Sequence, residues 1–76
     1  MQLGERIYLL RTAQNLSQGD LAERLDVSRQ SISKWENNTA LPDVQMIPKI
    51  AEYFGVTTDE LFGYKLNALT NKERLI

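Results

Sequence analysis

One six-residue pattern occurs three times in this chain: an apolar residue, a Ser or Thr, two residues of free choice, a polar residue and a second apolar residue. It reads Leu16-Ser17-Gln18-Gly19-Asp20-Leu21, then Val27-Ser28-Arg29-Gln30-Ser31-Ile32, then Val56-Thr57-Thr58-Asp59-Glu60-Leu61. In each copy the hydroxyl can accept a free amide of a first helical turn, and the apolar pair forms a hydrophobic staple that fixes how the chain turns into the helix. The pattern therefore predicts helix starts at 17, 28 and 57. Thr57 with Glu60 makes a full capping box, Ser17 with Asp20 a shorter-armed one, and Ser28 with Ser31 a partial one.

The remaining apolar residues also fall at helical spacing, and no segment alternates with period two for long enough to form a strand. The predicted fold class is all-α. Leu3, Ile7 and Leu10 mark the inner stripe of a first helix that should fade near Asn15. A fourth helix is expected between Asp43 and Phe54, with Ile47, Ile50, Ala51 and Phe54 inward. Pro48 must lie in its first turn, because deeper in the helix it would cost about 3 kcal/mol. Gly55 follows as a left-handed C-terminal cap. Asn37, Asn38 and Pro42 mark the loop between the third and fourth helices.

With 76 residues there is room for one small core and no second domain. The chain has no Cys and no His, which removes disulfides, thiolate and imidazole metal ligands and the usual general base. Hydroxyls without a base, scattered glycines and acids on outer faces complete the case against an enzyme, and no cofactor or metal is implied. The N-terminus lacks an apolar run of signal-peptide or membrane-span length, so the expectation is a soluble cytoplasmic protein. Nine Lys and Arg against ten Asp and Glu give a net charge of −1, so any polyanion must be held by local placement of charge.

Between the second and third helices only Asp26 and Val27 remain, a turn so short that the helices must cross steeply and pack through Leu21, Ala22, Leu25 and Ile32. That is helix-turn-helix geometry. Ala22 suits a close crossing, and Asp26 tolerates the left-handed conformation such a turn wants. If Ile32 and Trp35 form the buried edge of the third helix, then Gln30, Ser33, Lys34 and Asn37 lie roughly opposite at 100° per residue, with Arg29 beside them. Arg can fork onto guanine O6 and N7, and Gln can pair with adenine N6 and N7. Lys34 can reach a base edge or a phosphate, and Ser33 fits either role. Trp35 reads as core, not as a stacking platform.

Residues 3 to 63 resemble the lambda-repressor-like, Cro/CI-type (XRE) helix-turn-helix family. The stretch LSQGDLAERLDVSRQSISKWENN carries its core signature and LPDVQMIPKIAEYFGVTTDELFG the two helices that follow. The resemblance implies a compact five-helix domain over residues 1–63 that binds double-stranded operator DNA as a homodimer, usually as a repressor, with helix 28–37 in the major groove. It implies the main base contacts at Arg29, Gln30 and Lys34, beside which Ser33 is a lesser candidate on the residue reading alone. It places phosphate contacts at Gln18, Ser28, Asn37 and Asn38, the last two also through their backbone amides. It further pairs Arg11 with Glu36, aiming the Arg11 guanidinium at a phosphate, so that losing Arg11 should weaken DNA binding more than stability.

The tail, residues 64–76, contains another capping box at Thr70 to Glu73. It reads as the start of a further helix cut short, as a segment docking on a second copy, or as an ordinary frayed terminus. Leu61, Phe62, Tyr64 and Leu66 are the candidates for a dimer contact. A second class of function stays open, a protein-interaction module such as an antitoxin or docking domain built on the same fold.

Overall fold

A computed structural model describes residues 2–63 as five helices: α1 (Leu3–Ala13), α2 (Gln18–Leu25), α3 (Arg29–Glu36), α4 (Met46–Phe54) and α5 (Thr58–Leu61). No strand occurs among the described residues. The three repeated patterns cap α2, α3 and α5. Ser17 accepts the Asp20 amide at 2.9 Å, Ser28 the Ser31 amide at 3.1 Å and Thr57 the Glu60 amide at 3.0 Å. Two of the three are complete boxes, since the Asp20 and Glu60 carboxylates accept the amides of Ser17 and Thr57 in return. Hydrogen bonding to the Asp20 carboxyl, from the Ser17 backbone amide first and the Ser17 side chain second, holds it below its usual range. A depressed pKa means that Asp20 supports the fold above the ordinary carboxylate range and loses that contribution as pH falls through its lowered value.

Helix ends follow local chemistry too. Asp26 is left-handed at φ 59° and ψ 46°, letting the Val27 amide return to the Ala22 carbonyl at 2.9 Å. Gly55 does the same for α4 at φ 70°, with Val56 donating to Ala51 at 3.0 Å. α1 stops at Ala13, slightly before the expected fade, because Asn15 turns left-handed at φ 60° and sends the Leu16 amide back to the Arg11 carbonyl at 3.2 Å. Pro48 is the third residue of α4, where no intrahelical amide is lost.

The core joins Leu3 and Ile7 of α1, Leu21, Ala22 and Leu25 of α2, Ile32 and Trp35 of α3, Ile50, Ala51 and Phe54 of α4 and Leu61 of α5. α3 packs against both α1 and α2, and α5 closes the other side against α1 and α4. Leu61 was expected as a dimer contact and is instead fully buried. Its place as the closing apolar residue of the α5 staple turns it inward, so it has no surface to offer a partner. Phe62, the next residue, is 45% exposed. Tyr64, Leu66 and the rest of the 64–76 tail lie outside the described residues.

Gly4 carries a demand the sequence pattern did not reveal. A Cβ there would collide with the Trp35 carbonyl and lie 2.9 Å from the Glu36 carbonyl, so the first turn of α1 abuts the last turn of α3 backbone to backbone. The Gly4 amide donates to Asn38 Oδ1 at 3.2 Å. Gly4→Ala should therefore lower stability by about 1–3 kcal/mol through overpacking, although Ala is the better helix former. Denaturant unfolding tests this; an unchanged or raised midpoint would mean that the two helix ends separate freely.

Candidate nucleic-acid interface

α3 sorts its residues by face. Ile32 and Trp35 are buried, Ser33 is half-buried, and Arg29, Gln30, Lys34 and the capping Asn37 are exposed. The sole acid of the helix, Glu36, is turned inward with its side chain only 5% exposed, so the outward face presents bases and amides alone. Neither Arg29 nor Lys34 forms a salt bridge among the described residues. Arg29 runs beside the start of α2, where its Cδ would lie 4.0 Å from a Cβ placed on Gly19. The expected base-reading set thus shares one accessible face, next to the α2 N-terminus.

Behind that face sits a polar cluster drawn from three helices. Arg11 Nε donates to Glu36 Oε2 at 2.7 Å and Arg11 Nη2 to Glu36 Oε1 at 3.0 Å, a two-pronged ion pair between α1 and α3. Arg11 Nη1 donates to the Leu16 carbonyl at 2.7 Å, just ahead of α2, and the guanidinium carbon lies 5.3 Å from the centre of the Tyr8 ring. Gln18, the first residue of α2, donates Nε2 to the same Glu36 Oε1 at 3.0 Å. Hydrogen bonding to Glu36 is the chief reason the Arg11 pKa is raised above its ordinary value, against the opposing effect of burial, so Arg11 stays charged at every working pH.

Three expectations change with this geometry. The pairing of Arg11 with Glu36 is present, but the guanidinium is turned into the protein, with three nitrogens engaged and the side chain 10% exposed. Its first role is to hold helices together, and only the two N–H groups left over on Nη1 and Nη2 remain for any phosphate. The backbone amides of Asn37 and Asn38 are likewise committed, to the carbonyls of Ser33 at 3.0 Å and Trp35 at 3.1 Å, because they close the end of α3. Asn38 is left-handed at φ 60°, and its side-chain oxygen takes up the Gly4 amide. The exposed Asn37 side chain and the second hydrogen-bonding capacity of Gln18 are what this end of the face retains. Ser28 keeps its hydroxyl on the Ser31 amide and within 3.0 Å of the Ser31 hydroxyl.

Spacing along the chain could not have disclosed the Gln18 to Glu36 bond, since the partners are 18 residues apart. The isolated glycine in the first helix was a usable sign of Gly4, because a glycine that weakens a helix usually has a packing reason.

A short turn between crossed helices, a capped second helix with an exposed donor-rich face, and three supporting helices define a helix-turn-helix domain. The family model described as helix-turn-helix matches residues 7–61, more than half of the chain, and the protein belongs to this family in its XRE-type form. It is similar to the HTH-type transcriptional activator BcrR of Enterococcus faecalis, 43% identical over 74 residues that make up 96% of this chain and 36% of BcrR. The HTH-type transcriptional regulator MJ0272 of Methanocaldococcus jannaschii is 42% identical over 60 residues, 79% of this chain and 91% of MJ0272. Among solved structures, the P22 c2 repressor in complex with a synthetic operator has a TM-score of 0.77 at 25% identity, over 83% of this chain and 96% of that one. The chain therefore spans about a third of BcrR and nearly all of MJ0272.

Arg11→Ala would leave the Glu36 carboxylate largely buried with Gln18 as its remaining side-chain partner. We expect it to destabilise the fold by about 3 kcal/mol, the scale for breaking a buried pair from one side. That reverses the initial expectation of a loss felt mainly in DNA binding. Thermal unfolding checks it, and a change under about 0.5 kcal/mol, as for an exposed pair, would contradict the structural role.

Proposed function

We propose that this chain is the DNA-reading domain of a transcriptional regulator, binding double-stranded DNA sequence-specifically by laying α3 in the major groove. The observation that carries the reading is the sorted face of α3, where Arg29, Gln30 and Lys34 are exposed and its one acid is turned inward. In the groove Arg29 addresses guanine, Gln30 addresses adenine, Lys34 takes a base edge or phosphate one turn on, and Ser33 adds a minor contact. Gln18, Ser28 and the Asn37 side chain flank that face and serve the sugar-phosphate backbone, which positions the helix without carrying sequence information. Arg11 acts from behind, and the Asn38 side chain contributes mainly by fixing the loop.

A helix of this length reads only a few base pairs, so two copies on a palindromic operator, with half-sites about 34 Å apart, are the natural mode of binding. The likeness to the operator-bound P22 c2 repressor supports operator binding as the mode of action. BcrR, an activator by name, shows that a similar domain occurs in a regulator of the opposite sign. No helix of the described residues is long and apolar enough to cross a membrane.

Selection from a random pool of double-stranded DNA tests the proposal. A palindrome with those half-sites is the expected result, and its binding should weaken steeply with salt as counterions are released. Gln30→Ala should relax preference at one base position per half-site, losing about 1–3 kcal/mol of discrimination there. An empty selection at low salt would contradict DNA reading and favour the protein-interaction module.

A further inference from the structure

We infer that Glu36 is a positioning residue for DNA contact, acting through Gln18. This inference rests on the DNA-binding reading and extends it to a residue that touches no DNA. A carboxylate accepts hydrogen bonds and donates none, so the 3.0 Å contact to Glu36 Oε1 fixes the Gln18 amide with its nitrogen inward. One Nε2 hydrogen is held by Glu36, and the second has no protein acceptor among the described residues, on a half-buried side chain at the first residue of α2. The carboxylate cannot swing away, because Arg11 grips both of its oxygens and the Glu36 side chain is only 5% exposed. A glutamine on an open helix start would sample many rotamers and lose that freedom on binding; this one is already ordered. Gln18 therefore meets a phosphate as a pre-aimed donor, its geometry set by an acid on the recognition helix itself. Contact with the backbone and orientation of α3 are thereby tied to one rigid cluster.

The test is a double-mutant cycle on the selected DNA. Gln18→Met keeps the bulk of the side chain without a donor, and Glu36→Asp keeps the charge for Arg11 while withdrawing the acceptor by one methylene. In the native background Gln18→Met should weaken binding about tenfold and reduce the salt slope by about 1, the scale of one hydrogen bond to a charged group and one phosphate contact. In the Glu36→Asp background the same change should cost less than about threefold, since the donor is no longer aimed. Equal losses in both backgrounds would overturn the inference.

Hydrogen exchange of the side-chain amide in the native protein gives a second, fold-independent reading. The Gln18 amide should exchange more slowly than those of the exposed Gln14, Gln30 and Gln45. Should Glu36→Asp fail to fold, this measurement decides alone, and exchange as fast as Gln30 would overturn the inference. If the native protein selects no DNA, the proposed function falls and this inference with it. Selection without coupling removes the inference only.

Discussion

Three helices meet at one carboxylate. Glu36 ends α3, accepts two hydrogen bonds from Arg11 of α1 and one from Gln18 of α2, and sits almost entirely out of solvent. An acid at a helix C-terminus faces the negative end of the helix dipole, and a buried charge without a partner costs several kcal/mol. Arg11 offsets both, which is why the arginine is turned inward. Gly4 lets the α1 backbone close onto the Trp35 and Glu36 carbonyls, and Asn38 ties the loop after α3 to the Gly4 amide. Each of these contacts restrains the same end of α3.

The restraint has an electrostatic consequence. A net charge of −1 argues against affinity for a polyanion only if charge is spread evenly. On α3 it is not, because Glu36 is withdrawn into the cluster while Arg29 and Lys34 remain outside. The same interaction that secures the helix removes the one acid from its outward face.

Much of the fold was legible because its determinants are local. Caps at Ser17, Ser28 and Thr57, left-handed turns at Asp26 and Gly55, and the inward pair Ile32 and Trp35 depend on neighbours within a turn or two. At the site, the outward placement of Arg29, Gln30 and Lys34 was legible from helical periodicity, and the family resemblance supplied the pairing of Arg11 with Glu36. The inward turn of Arg11 depends on Glu36, 25 residues away, and the Gly4 to Asn38 bond spans 34. Leu61 was misplaced for a related reason: periodicity identifies an apolar position, but burial by α1 and α4 identifies what it serves. The amides of Asn37 and Asn38 were misassigned because family spacing does not say which carbonyls close a helix end.

Methylation interference on the selected DNA asks whether α3 reads base edges in the major groove, as proposed. Methyl groups at guanine N7 block the acceptor proposed for Arg29, whereas those at adenine N3 lie in the minor groove. Guanine N7 methylation within each half-site should abolish binding, while adenine N3 methylation there should leave it intact. Interference confined to adenine N3, or none at either position, would contradict major-groove reading.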